Sequence, residues 1–193
     1  TGKQSIRTSA LWHISIGHSI ALLSVSTVLV HLIPHLTHKL GMGLTSAGLV
    51  FSTISIFQIL GIVCGGYLGD RFNKRLICVW CMIFHGTGML ILAFFDEFPL
   101  LILFAMFHGL AWGIRGPQMV AIRADYFGSE SFGRIMGISS LVVMLGMMGG
   151  PIICGIVVDH YGIYQNAFLS IGIISMIGAI FFYMARKPDF LTT

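Results

Sequence analysis

Arg115 is the residue in this chain best suited to do chemistry. It stands inside an apolar segment, residues 99–122, that is otherwise almost free of charge. His108 lies seven residues earlier, almost two helical turns, so the two share a helix face, and Gln118 sits three residues further on at its edge. An arginine in the middle of an apolar helix costs about 2.5–3.5 kcal/mol on insertion scales. Arg115 is eight residues from Arg123, or about 12 Å inside the end of its segment. A guanidinium presents a fork of N–H donors that matches a carboxylate. Arg115 therefore reads as an anchor for an organic anion, with His108 and Gln118 beside it. The other reading makes it a partner for backbone carbonyls near Pro117, or for a carboxylate outside this chain, because no Asp or Glu lies within an apolar segment here.

Other polar residues at membrane depth join the candidate site. Ser24, Thr27, His31 and His35 recur at steps of three and four on one stripe of residues 10–34 and their continuation, and residues 45–68 offer Ser55 and Gln58. His31 and His108 can relay protons or touch substrate, since imidazole titrates near neutral pH; a hydrogen-bonded packing histidine is the alternative for each. His31-x-x-x-His35-x-x-His38 resembles one iron box of the membrane desaturases, but those enzymes need several, and the other five histidines are scattered. His18 and His31, thirteen apart, are similar to the spacing of haem ligands in b-type cytochromes, but no matching pair occurs on a second segment. No metal or cofactor is expected. A membrane-embedded metal or haem enzyme and a non-transporting six-span interaction protein remain the competing classes. Cys64, Cys78, Cys81 and Cys154 all fall in apolar runs and read as small packing residues.

The elements that must position these side chains are membrane spans. Of 193 residues, 56% are hydrophobic and only 9% charged, too few charges to cover a water-facing surface. The mean hydropathy is +0.91. Six runs reach the roughly 20 apolar residues needed to cross a bilayer: about 10–34, 45–68, 76–95, 99–122, 134–158 and 163–185. Short connections make neighbours antiparallel and leave no room for a second, soluble domain, so residues 1–193 form one all-α transmembrane domain. Lys3, Arg7, Arg71, Lys74, Arg75, Arg123, Arg134, Arg186 and Lys187 fall on one side, with only Lys39 on the other, beside Asp96, Glu97 and Asp159. That bias places both termini in the cytoplasm of a multi-pass protein, expected in the plasma or inner membrane. The net charge of +4 follows the membrane, and nucleic acid is not an expected partner.

The connection from Gly66 to Arg75 is the most distinctive stretch. It reads Gly66-Tyr67-Leu68-Gly69-Asp70-Arg71-Phe72-Asn73-Lys74-Arg75. It resembles the loop signature of the major facilitator superfamily, Gly-x-Leu-x-Asp-Arg-x-Gly-Arg-Lys, with Asn73 where the family has glycine; asparagine is the next-best residue at positive φ. Gly155-x-x-x-Asp159-x-x-Gly162 closes the fifth span as Gly66-x-x-x-Asp70-x-x-Asn73 closes the second. Each is the second span of a triplet, and triplets of odd number are inverted relative to one another. Residues 123–128 and 132–137 are similar to the corresponding loop near the oxalate/formate antiporter and monocarboxylate transporter groups, and residues 30–36 to their seventh span.

The resemblance aligns the chain with the C-terminal six-span half of a twelve-span secondary transporter. It implies alternating access by rocking of two halves, a small-molecule substrate such as a small carboxylate moved with protons or by exchange, and a partner that is an N-terminal six-helix half or a second copy. In that family the first and fourth spans line the central cavity, and those spans carry the two richest polar stripes here. A half of this kind would leave its cavity face, with those stripes, open. The resemblance also implies that Gly66, Asp70, Arg71, Lys74 and Arg75 form a gating loop, in which Asp70 pairs in one state and releases in another. Asp70 ends a helix, where the macrodipole disfavours an anion, so it needs a cationic partner or a neighbouring helix N-terminus. This sequence departs from the named groups by lacking their charges in the second and fifth spans and carrying Arg115 in the fourth. The spacing Gly61/Gly65/Gly69, Gly109/Gly113, Gly133/Gly137 and Gly146/Gly150 suits close helix packing, and Pro117 and Pro151 each remove a helix hydrogen bond.

The charge bias generates a labelling pattern. Cysteines placed at 74 and 130 are expected to react with an impermeant maleimide from the cytoplasmic face, and those at 38, 97 and 160 from outside. Reaction of positions 74 and 97 from one side would exclude six spans in inverted triplets.

Overall fold

The computed structural model describes residues 6–128 and 132–188; Lys3 and labelling position 130 lie outside them. Six helices are long and apolar enough to cross a membrane, and no strand occurs among the described residues. They are α1 (Ser9–Pro34), α2 (Leu44–Arg71), α3 (Lys74–Phe94), α4 (Phe98–Phe127), α5 (Phe132–Tyr161) and α6 (Gln165–Met184). A π-helical turn, His35–Lys39, extends α1. Helices α2, α4 and α5 outrun their apolar cores by several residues, because backbone hydrogen bonding continues past the last apolar side chain. Pro117 and Pro151 stand inside α4 and α5, which are helical on both sides of them.

The helices pack as two interlocked triplets. The second helix of each triplet lies on the first helix of the other, α2 on α4 and α5 on α1. The third helices pack on each other, and each also packs on the first helix of the opposite triplet. The internal repeat seen in the loop residues is thus also a symmetry of packing.

Glycine makes the two main crossings. A Cβ on Gly61 would lie 2.8 Å from the Leu110 carbonyl oxygen, and one on Gly65 would lie 2.7 Å from that of Ile114. From the other side, Gly109 faces the Ile54 carbonyl and Gly113 the Gln58 carbonyl. At the second crossing, Gly146 and Gly150 of α5 face the carbonyls of Ser19 and Leu23 on α1. Lipid offers apolar helices no hydrophobic gain from pairing, so close backbone approach and dispersion must hold them. Gly133 and Gly137 differ: a Cβ at either would meet nothing within 4 Å, so their spacing serves no packing in this chain.

The connections settle a second expectation. Asn73 does not adopt positive φ; it sits at φ −64° and caps α3, its side-chain oxygen accepting from the backbone N–H groups of Arg75 (3.0 Å) and Leu76 (3.4 Å). No described non-glycine residue has positive φ. An extended cap followed at once by helix needs no left-handed residue, and Asn is a favoured cap. The matching position of the other triplet, Gly162, does use φ +73°, so the two repeats turn by different local means. Lys74 bonds Asp125 at 2.9 Å and the Tyr126 hydroxyl donates to the Ala185 carbonyl, joining α3, α4 and the chain after α6 at one end. At the opposite end the Lys39 ammonium donates to the Gly162 carbonyl.

Gly113→Val should force α2 and α4 apart and reduce stability by about 1–3 kcal/mol, the range for overpacking. The measurement is the thermal midpoint of detergent-purified protein by fluorescence-detected size exclusion. Gly133→Ala should leave that midpoint unchanged, and an equal fall for both would remove the α2–α4 crossing as the cause.

Candidate functional site

The polar residues of α4 face the interior of the bundle. His108 and Arg115 are buried, at 0% and 1% exposure, although no other chain covers them. The stripes expected to lie open are therefore enclosed, while the open faces of α2 and α5 carry Ile56, Ile59, Leu60, Val63, Leu141, Met144, Leu145 and Met148. The physical reason is the high cost of an unpaired charge or imidazole against lipid; rotation of each helix places its polar stripe against its neighbours.

His108 meets a partner that the sequence did not single out. Its Nδ1 lies 3.2 Å from Nδ1 of His85 on α3, with the rings edge to face at 4.6 Å. One ring must donate and the other accept, so the pair shares one N–H in this contact. Each Nε2 is buried without a hydrogen-bond partner. Arg115 lies within electrostatic range of His85, His108 and, on α1, His18. Its Nε and Nη2 are buried and make no hydrogen bond. His85 was legible only as a mid-span histidine, since nothing in spacing links it to a residue 23 positions away.

Gln118 points elsewhere. Its amide nitrogen donates to the Gly65 carbonyl at 2.6 Å, and its amide fills the space above Gly69, so it ties α4 to α2. Thr27 returns its hydroxyl to the Leu23 carbonyl. His31 bonds the Pro151 carbonyl through Nε2 at 3.0 Å. His35 is wedged edge-on between Tyr164 and Phe168, and His38 is exposed, so the three histidines of the π-helical turn region have three different surroundings. Ser55 is exposed on α2, and Gln58 is half-buried with its carbonyl against Gly113. The structure thus brings together His108 and Arg115, and separates both from Thr27, His31, Ser55 and Gln58 by their contacts.

Arg123 is the largest departure from the sequence reading. Counted as a loop charge, it is 1% exposed and bridges three helices. Its Nε donates to the Ser139 hydroxyl on α5 at 3.1 Å and its Nη1 to the Met119 carbonyl at 2.8 Å. Nη2 reaches both Ser139 and, at 3.3 Å, Nδ1 of His18 on α1. Ser139 in turn meets Ser15 of α1 at 2.8 Å. No motif announces this network, because its partners lie as far as 124 positions apart and leave no local pattern.

The residues expected to form a gating loop stand at the same end. A Cβ on Gly66 would meet nothing within 4 Å, Asp70 is exposed and forms no ion pair among the described residues, and Arg71 lies over the Tyr67 ring at 4.5 Å. Lys74, a cation of the same loop, pairs with Asp125 and not with Asp70. Arg75 lies over the Tyr183 ring at 5.7 Å.

Comparison with known proteins follows this geometry. The family model of the Major Facilitator Superfamily matches residues 14–191. The chain is 32% identical over 50% of its length to the multidrug resistance protein B homolog of Mycobacterium tuberculosis. It is 26% identical over 83% of its length to monocarboxylate transporter 12 of Rattus norvegicus, and 28% identical over 72% to sugar phosphate exchanger 3 of Xenopus laevis. It spans 18%, 34% and 29% of those three proteins respectively.

Ser139→Ala should destabilise the protein by about 1.5–3 kcal/mol, since it strips two donors of a buried guanidinium of their acceptor. Arg123→Met should cost little more in a Ser139→Ala background. A double-mutant cycle on thermal midpoints measures this coupling, and strict additivity would show that the network holds nothing together.

Proposed function

Given that this chain belongs to the major facilitator superfamily, we propose that it is the C-terminal six-helix half of a secondary transporter working by alternating access, and that it moves a small organic anion. The supporting observation is Arg115. A guanidinium enclosed in the bundle, with two nitrogens unpaired and no acidic residue in the apolar core of any helix, calls for an anion that arrives and leaves. Each unsatisfied buried group costs about 1–3 kcal/mol, so a permanent orphan is a poor structural device. Two of the relatives above are named for anions, a monocarboxylate and a sugar phosphate. Arg115 is buried, so a substrate reaches it only when the helices around it rearrange.

The apolar open faces of α2 and α5 suit a second six-helix half or a second copy. Asp70, unpaired here, supports the gating-loop reading, in which its partner is met in another state or on another half. With both termini and this loop in the cytoplasm, the gate lies on the inner side. The His85–His108 pair, two turns from Arg115, is the group best placed to couple the anion to a proton. A second reading is favoured by the enclosure of Arg115 itself: a purely structural cation that organises the interior between α1, α3 and α4.

The experiment is carboxylate uptake by the complete transporter, corrected for surface expression. Arg115→Lys keeps the charge and loses the fork, so KM should rise roughly ten- to a hundredfold, equivalent to about 1.5–3 kcal/mol. Arg115→Ala should reach the membrane and abolish anion uptake. A misfolded Arg115→Ala would support the structural reading, and normal uptake would exclude an anion site at Arg115.

A further inference from the structure

Two cavities meet at the end of α2, and they differ in chemistry. The first, of about 390 Å³, is a groove between α2, α3 and α4, walled by Leu68, Leu76, Trp80, Phe84 and Ile114. The second, of about 420 Å³, is a cup holding Lys74, Arg75, Asp125, Tyr126 and Lys187. Phe72 and Asn73 line both, so groove and cup adjoin. Trp80 is 61% exposed and Phe72 equally so, which places the groove at the outer surface of the bundle.

From the adjacency of this apolar groove and this basic cup we infer a binding site for an anionic phospholipid, its acyl chain in the groove and its phosphate in the cup. Length supports a tail. Phe84 lies ten residues into α3 from Lys74, about 15 Å at 1.5 Å per residue. That is the depth of one leaflet in a hydrocarbon core about 30 Å thick. Charge supports the headgroup. In the cup Lys74 is neutralised by Asp125, while among the described residues Arg75 and Lys187 have no acidic partner. The Nε of Arg75 is buried and unbonded. Two cations without a described acid beside them, Arg75 leaning on the Tyr183 ring, stand at the end of an acyl-length groove and fit a lipid carrying net negative charge better than a zwitterion. The site is separate from the one proposed for the transported solute: Ile114 lines the groove, but the side chain of Arg115, the next residue, is buried in the interior of the bundle.

Trp80 provides the readout. The chain has three tryptophans, so Trp12→Phe with Trp112→Phe leaves Trp80 as sole fluorophore. The protein is reconstituted in phosphatidylcholine vesicles containing rising fractions of phosphatidylglycerol, with bromine on the acyl chains of one lipid at a time. Brominated phosphatidylglycerol should reach half-maximal quenching at roughly tenfold lower mole fraction than brominated phosphatidylcholine. Arg75→Gln with Lys187→Gln should bring the two curves together. Arg134→Gln, an exposed cation at the same end but outside the cup, should not. Should the double variant fail to insert, competition decides: unbrominated phosphatidylglycerol must reverse the excess quenching, and water-soluble glycerol phosphate must not. Coincident curves in the unsubstituted cup would overturn the site and leave the groove to another protein segment. Reversal by glycerol phosphate would make the cup a soluble-anion site, and an equal loss in Arg134→Gln would reduce the effect to diffuse surface charge.

Discussion

Close backbone approach at two helix crossings is the constraint on which the rest of this structure depends. Where α2 meets α4 and α5 meets α1, carbonyl oxygens stand where side chains would otherwise be, and only glycine leaves them room. In a membrane, apolar side chains gain nothing from one another that lipid does not already give. The contacts that select one arrangement are therefore those lipid cannot imitate. The crossings are equivalent under exchange of the triplets, Gly61 facing the Leu110 carbonyl as Gly150 faces that of Leu23. Everything that lies between the triplets inherits its position from these two contacts.

What lies between them is a polar interior. Arg115 and Arg123 are eight residues apart on one helix and both are buried. Arg123 is held by Ser139, the Met119 carbonyl and His18, and so joins α1, α4 and α5. Arg115 has two nitrogens with no bond at all. A buried charge with every donor placed is a fixture. One with donors to spare is an unfinished interaction, and the anion site proposed at Arg115 rests on it. The His85–His108 pair belongs to the second kind, since both outer nitrogens are also unpaired.

The basic end combines three jobs in ten residues. Asn73 starts α3 by capping it, Lys74 closes α3 onto α4 through Asp125, and Arg75 leans over Tyr183 toward α6. The exposed Asp70 takes part in none of these contacts. The loop thus holds its helices through Asn73, Lys74 and Arg75 and leaves Asp70 exposed.

Six long helices were legible in the residues alone, because about 20 apolar residues must satisfy their own backbone in lipid and only a helix does so. The triplet repeat and most of the glycine crossings were legible too, since small residues four apart declare a close approach on one face. So was the placing of His108 and Arg115 on one side of α4, because 3.6-residue periodicity is local. Only the tertiary structure decided which neighbour each face meets. Periodicity fixes angles about one helix axis and leaves the rotation of one helix relative to another undetermined. For that reason Gln118, one turn from Arg115, serves α2 while Arg115 faces the interior, and His85 pairs with His108 across 23 positions. For the same reason Arg123, a loop charge in sequence, became a buried clasp, and Gly133 and Gly137, a ladder in sequence, touch nothing.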